Sequence, residues 1–531
     1  MPGFAPGAQF GLAVGGAPAS AGLERGGRIG KLAQRGGRAA LFILTQGRIE
    51  SRTHRDHGGH CQKGNQQPRG GRAWEDRDSQ WVLPAERESQ RIFSPRPPPP
   101  IRIGSRGGAA GRRKPAPAKK SANISGVTPA TESSAQRTTA IRGFFMAVDP
   151  AVFRTTKIVD FEAGAIGRLA EEFGYLGGSK AFVVTDQGLR QAGIVDRVES
   201  LLAEAGIPFQ TRENPAQEPP ASLINATADE IAGSGADVVI GLGGGSSMDT
   251  AQIAGCAVAN GKRVEQLIGV NEVTRPGLPN ISIPTTAGTA SEVTGNAVVV
   301  MDDSSNKVPV ISPHIYPDVA IVDPELTLGL PPAVTAASGI DAFCHATESY
   351  LSSNATVQTK MFAREAMGLI LQNLPRAYRT GSDIEARSGQ MLGALLAGYT
   401  LANAGVTIIH AAAHVIGARY KVPHGIANAI CLVPIFKFYA RTVPERMAEL
   451  AGPLGISDKI AATTARADAA IGVVEQLVDD LEIETRMSAY GVRMDDIDEM
   501  ARLTADSERL QLQSPAQASF EELQEMFRGI Y

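Results

Sequence analysis

From Met146 onward the apolar positions follow two patterns, and the change comes near Pro331. Before it, short apolar runs alternate with amphipathic stretches. KAFVVTD (180–186) closes such a run on a carboxylate, with AIGRLAEEFGYL before it and LRQAGIVDRVESLLAEAG after it at helical spacing. FQTREN predicts a second strand and ASLINATADEIAGSG a helix; ADVVIGLGGGSSMDTAQIAGCAVA predicts a strand, a glycine turn and a helix. NISIP, TGNAVVV, KVPVI and DVAIVDP supply further strands up to about residue 323. This alternation predicts a mostly parallel sheet covered on both faces, a nucleotide-type α/β domain over 146–326. Beyond Pro331 strand signals stop. MFAREAMGLILQNL, EARSGQMLGALLAGYTLANAG and the stretches up to Tyr531 place Leu, Ile, Ala and Met at helical intervals, predicting an all-helical domain over 327–531.

Residues 1–145 carry neither pattern. They hold 24 Lys+Arg against 9 Asp+Glu, a balance of +15, while the remaining 28 and 46 give residues 146–531 a balance of -18. Gly, Arg, Pro and Ser dominate, with RGGR repeats and a PRPPPP tract, so too little apolar surface is available to offset the entropy of ordering. A disordered basic arm is expected. It reads as a transit peptide, a nucleic-acid arm or, preferred here, the product of a start placed upstream of Met146. His54, His57, His60 and Cys61 lack the second ligand pair that a zinc site needs. The four cysteines, Cys61, Cys256, Cys344 and Cys431, have no framework spacing, which points to a reduced, cytoplasmic setting. No run of about 18 apolar residues exists to span a bilayer, so a soluble chain is expected.

Chemistry concentrates in the helical part. GVTIIHAAAHVIGARYKVPHGIANAICLVP (405–434) carries His410, His414 and His424 in a small, apolar run. His410 and His414 are four apart, so they share one helical face; Pro423 and Gly425 around His424 predict a break and restart of the helix. In SGIDAFCHATESY, Asp341 and His345 repeat the four-residue spacing. A lone histidine here would be a satisfied core residue. Two such pairs and a further histidine after a turn predict instead a divalent metal site.

The α/β part offers an anion cradle. GLGGGSSMD (Gly241–Asp249) sits at a strand-to-helix turn, where glycines admit close approach and the helix N-terminus offers free N–H groups. PTTAGTASEVT (284–294) is a second loop, its small and hydroxyl residues suited to the edge of a polar ligand. Asp186, ending the VVTD strand, is placed either to accept ribose hydroxyls or to cap the next helix.

Together, GLGGGSSMDTA, PTTAGTASEVT, SGIDAFCHATESY and the His410-x3-His414-x9-His424-Gly run resemble, in order, the iron-containing (group III) alcohol dehydrogenases, across essentially all of 146–531. The resemblance implies a Rossmann-like domain, a helical domain and an active site in the cleft between them. It assigns the metal, Fe2+ or Zn2+, to Asp341, His345, His410 and His424, and places His414 beside the nicotinamide as the catalytic residue. It assigns NAD to Asp186, Gly243, Gly244, Gly245, Ser246, Asp249, Thr285, Thr286, Thr289 and Lys307. The implied reaction is hydride transfer between a small primary alcohol or aldehyde and NAD(H), in a cytoplasmic homodimer. Alternatives are a hydroxyacid–oxoacid transhydrogenase, a maleylacetate-reductase-like enzyme and, outside enzymes, a nucleic-acid-associated protein acting through the basic arm. The sequence departs from the pattern at Gln252, where Lys is frequent, and at Ala290 and Val406-Thr407, where glycine is common.

Overall fold

The computed structural model describes residues 151–214, 219–303 and 307–531. The expected arm at 1–145, its His54–Cys61 cluster included, lies outside the described residues. A six-stranded sheet runs in the order β1 (Ile158–Phe161), β9 (Val319–Val322), β6 (Asn280–Pro284), β4 (Val238–Gly243), β2 (Ala181–Asp186) and β3 (Phe209–Asn214), all parallel. The connecting helices are α1 (Leu169–Tyr175), α2 (Gln187–Gln191), α3 (Ile194–Glu204), α4 (Ala221–Ser234) and α5 (Gly245–Asn260).

Successive residues of one strand feed opposite layers. Phe182, Val184 and Val239 pack against Ile224 and Ile231 of α4 and Ala251 and Ala254 of α5. Ala181, Val183 and Ile240 pack against Leu169 and Phe173 of α1 and Val198 and Leu202 of α3. Both faces are covered, which is why these strands read as unbroken apolar runs. Each buried Val, Ile, Leu or Phe side chain contributes about 1.5–3 kcal/mol. β2 steps outward to β3, whereas β4 returns on the other side of β2, so their carboxyl ends meet at a topological switch point.

Two features go beyond the sequence reading. β1 was not expected; IVDF is a short edge strand pairing with β9. TGNAVVV and KVPVI form an antiparallel pair, β7 (Asn296–Val300) and β8 (Lys307–Ile311), which with β5 (Gly269–Val270) makes a separate small sheet. Residues 301–306 between them are too few for a parallel crossover, so the pair must be a hairpin.

The rest is helical, as the apolar spacing predicts: α6 (Pro332–Leu351), α7 (Val357–Arg379), α8 (Ile384–Ala404), α9 (Ile408–Tyr420), α10 (His424–Thr442), α11 (Pro444–Ala448), α12 (Thr463–Asp480), α13 (Ile497–Ala505), α14 (Glu508–Gln513) and α15 (Phe520–Gly529). Pro332 opens α6, its missing N–H costing nothing there. Thr356 caps α7 in a reciprocal pair with Thr359, and Asp383 caps α8 through Ala386 N. Ile340, Phe343, Met367, Ile370, Phe436 and Tyr439 lie in one continuous core beneath them. α9 stops at Lys421 in the left-handed region (φ 56) and α10 starts three residues on, after Pro423. Among the described residues no single helix is long and apolar enough to cross a membrane.

Candidate metal and cofactor site

Asp341 and His345 share one face of α6, His410 stands on the first turn of α9, and His424 opens α10. They converge. The Nε2 atoms of His345, His410 and His424 lie 3.5, 3.6 and 3.6 Å from Asp341 Oδ1. Asp341, His345 and His410 are buried, while a third of the His424 side chain is open. What brings α10 this close is Gly425: a Cβ there would lie 1.7 Å from the Ala337 carbonyl oxygen of α6. Only a residue without a side chain lets the first turn of α10 ride on α6.

The structure adds a residue that the sequence reading missed. Glu348 lies one turn below His345 on α6, fully buried, with Oε2 hydrogen-bonded to His410 Nδ1. Its Oε1 accepts from Thr407 N at 2.8 Å and Thr407 Oγ1 at 2.6 Å, so it also caps the start of α9. Ser514 Oγ accepts from Ile408 N at 3.1 Å at the same end. A carboxylate on Nδ1 fixes the proton there and leaves the Nε2 lone pair facing the cluster, the usual outer support of a metal-bound histidine. The spacing Asp341, His345, Glu348 (i, i+4, i+7) on one helical face was the available signal. Asn428, one turn into α10, donates to Asp341 Oδ1 at 2.8 Å and was likewise not singled out from sequence.

The electrostatics fit a cation. Burial would raise the Asp341 pKa, yet three neighbouring histidines hold it well below the usual range. Burial opposes a charge on His410, but Glu348 and Asp341 outweigh it and lift that histidine to about 9. His345 is lowered by burial, and His424 is lowered to about 4 by burial despite Asp341. Once a cation displaces the proton that His410 otherwise holds, three imidazole nitrogens and a carboxylate oxygen face one another at 3.5–3.6 Å, a donor set that Fe2+ or Zn2+ would satisfy. Asp341, His345 and His410 alone already offer ligand atoms within 4.8 Å of one another.

His414 stands one turn along α9 from His410, its ring stacked on His424 at 5.4 Å between centroids. Burial, with His424, His410 and Lys307 beside it, pushes its pKa well down and keeps it neutral. Lys307, at the start of β8, brings its Nζ to 3.7 Å from where a Cβ on Gly417 of α9 would stand.

At the switch point, the first turn of α5 has no side-chain cap: Gly244 is its N-cap, so its leading N–H groups are open to an anion. A Cβ on Gly243, whose φ is 148, would strike Ser247 Oγ at 2.7 Å; one on Gly245 would meet Thr289 at 3.1 Å. Thr286 faces Gly244, and Thr286 Oγ1 and Thr289 Oγ1 are buried without hydrogen-bond partners. Free amides and unpartnered hydroxyls fit a pyrophosphate. Ser246 starts α5 half-buried, and Thr285 N donates to the Gly243 carbonyl at 2.9 Å, joining the two loops. Asp186 does cap α2, accepting from Leu189 N at 3.1 Å, and the residue is only partly buried. Asp249 points elsewhere: fully buried, it accepts from Val298 N of β7 at 2.9 Å, and burial lifts its pKa to about 7. Gln252 donates from Nε2 to the Ser291 carbonyl at 2.7 Å, and Ala290 adopts the left-handed conformation (φ 59) that glycine usually fills.

Two family models match the chain: "Iron-containing alcohol dehydrogenase" over residues 156–324 and "Fe-containing alcohol dehydrogenase family, C-terminal" over 335–531. The chain is 36% identical to sulfoacetaldehyde reductase of Bilophila wadsworthia over 374 residues, 70% of this chain and 97% of that protein. It is 36% identical to the NAD-dependent methanol dehydrogenase of Bacillus methanolicus over 339 residues, 64% of this chain and 89% of that one. The crystal structure of a 1,3-propanediol oxidoreductase is 32% identical, with a TM-score of 0.70, covering 72% of this chain and all of that one.

Proposed function

The chain belongs to the iron-containing alcohol dehydrogenase family, and from that premise we propose that it interconverts a small primary alcohol and its aldehyde with NAD(H). The observation that carries the reading is the tetrad, three imidazole nitrogens within 3.6 Å of one buried carboxylate oxygen. Relatives named for sulfoacetaldehyde, methanol and 1,3-propanediol support a short substrate, and the NAD-dependent one supports the cofactor.

Asp341, His345, His410 and His424 would hold Fe2+, with Zn2+ as the competing ion. When bound, the metal supplies a Lewis acid for the substrate oxygen and NAD a hydride acceptor. Glu348 fixes His410 in the tautomer whose Nε2 binds. Gly243, Gly244, Gly245 and Ser246 cradle the pyrophosphate against the α5 N-terminus, Thr286 and Thr289 offer their unpartnered hydroxyls, and Lys307 joins them on the ribose side. Asp186 accepts ribose hydroxyls and repels a 2′-phosphate. His414, neutral at the edge of the tetrad, takes the alcohol proton on an imidazole nitrogen and returns it in reduction. A cytoplasmic homodimer completes the proposal; the buried free thiols Cys256, Cys344 and Cys431 are consistent with a reducing compartment.

Chelation followed by Fe2+ or Zn2+ readdition, read by nicotinamide absorbance across short alcohols and aldehydes, tests the proposal. Turnover should vanish on chelation and return with metal; full turnover in protein shown by elemental analysis to be metal-free would overturn it.

A further inference from the structure

Arg190 lies one turn after Asp186, on the short helix that Asp186 caps, at the carboxyl ends of β2 and β3. The register places Thr185 beside Glu213 and Asp186 beside Asn214, so Glu213 stands next to the Asp186 carboxylate's own strand end. Residues four apart on a helix are neighbours, and Arg carries the rigid, forked donor set that recognises phosphate. Yet its guanidinium is occupied by carboxylates. Nε donates to Glu213 Oε1 at 2.7 Å, Nη1 to Asp196 Oδ1 at 2.6 Å and Glu199 Oε2 at 2.7 Å, and Nη2 to Glu199 Oε1 at 2.7 Å. These four bonds use four of the five guanidinium N–H groups. Glu199 is braced in turn by Thr211 Oγ1 at 2.7 Å. Three carboxylates thus hold one cation in a cage of net negative charge, one helical turn from the carboxylate that the reading above assigns to the ribose.

We propose that Arg190 is a cation withheld from the cofactor, and that Asp196, Glu199 and Glu213 set the preference for NAD over NADP jointly with Asp186. The inference rests on Asp186 facing the ribose. A 2′-phosphate arriving there meets Asp186 as a like charge and finds the nearby guanidinium already engaged. Removing Asp186 alone lifts the first obstacle and leaves the second. Opening the cage releases a guanidinium carried one helical turn from residue 186. Like charges in a partly desolvated cleft repel more than in water, so both obstacles count.

The test compares four forms: wild type, Asp186→Gly, Asp186→Gly with Glu199→Gln and Glu213→Gln, and that triple variant with Arg190→Met. The ratio of kcat/KM with NADP to that with NAD is read for each, alongside direct binding of adenosine 2′,5′-bisphosphate, which needs no turnover. Asp186→Gly should raise the ratio. The two Gln substitutions should raise it about tenfold further and tighten the bisphosphate correspondingly, the size of one charge-assisted hydrogen bond. Arg190→Met should then cancel that second gain. A second gain that survives Arg190→Met would come from lost negative charge alone and overturns the proposal, as does the absence of any second gain in bisphosphate binding. Failure of the underlying reading looks different: wild type would already prefer NADP, or Asp186→Gly would leave the ratio unmoved.

Discussion

The tetrad and the cofactor cradle stand close together and are built by opposite means. The tetrad is made of side chains, three of them positioned by a neighbour: Glu348 holds His410, Asn428 holds Asp341, and Gly425 brings His424 into range. The cradle is made largely of what is missing, uncapped N–H groups of α5 and glycines whose side chains would collide with Ser247 and Thr289. The first should fail when a donor atom is removed, the second when an atom is added.

The largest effects fall on the tetrad. His410→Ala and His424→Ala should each abolish metal retention and turnover, whereas His414→Ala should keep the metal and lose about 10²–10⁴-fold in rate as a proton relay. Elemental analysis beside kcat separates them; a His414→Ala protein without metal and a His424→Ala protein with it would reverse the assignment. Glu348→Gln, which keeps an oxygen for the Thr407 donors but removes the charge beside the far nitrogen of His410, should weaken metal affinity about 10–100-fold.

The cradle is broken by one methyl group. Gly245→Ala places a Cβ 3.1 Å from Thr289 and crowds the anion position, so KM for NAD should rise about tenfold while bound metal stays stoichiometric. Loss of metal in this variant would show that the two sites are not separable in the way their construction implies.

Smaller effects sharpen the border between them. Gly398 of α8 faces the left-handed turn at Ala290, and a Cβ there would lie 2.4 Å from Ala290 Cβ and 2.7 Å from Val293 Cγ2. Gly398→Ala should cost about 1–3 kcal/mol by overpacking, and Ala290→Gly in the same chain should recover much of it, a coupling that thermal melts of the double variant read directly.

The smallest effect is one of pH. Asp249 has an ordinary value of 3.8 raised by burial to about 7. Between those values the folded chain keeps a proton that the unfolded chain has released, so stability falls as pH rises through this window and levels off above it. Asp249→Asn should flatten that decline in Tm; an unchanged slope would mean the carboxylate is not the group responsible. Glu292, raised by burial to about 7, contributes in the same direction.

The convergence of Asp341, His345, His410 and His424 was legible in part because helical spacing is a local property: a four-residue interval puts Asp341 under His345 whatever the rest of the chain does. Glu348 was not, since one more acid on a helix looks like a solvated residue until α9 is seen packed upon it. The parallel sheet followed from unbroken apolar runs, whereas β1 is four residues long and carries no such run. Asp186 was left open between ribose ligand and helix cap, and the capping half of that choice is visible in a residue that stays only partly buried. The turning of Asp249 towards β7 depends on a contact 49 residues away, which no window of sequence contains.

The cap of α9 has a consequence in time. The helix bearing His410 and His414 is capped at its start by Glu348 and by Ser514, the latter 106 residues downstream of Ile408. A chain emerging from its N-terminus exposes Asp341, His345, His410, His414 and His424 long before Ser514 exists, while domains are already folding. A chain stalled before Ser514 would display all five of these side chains with the Ile408 amide still uncapped.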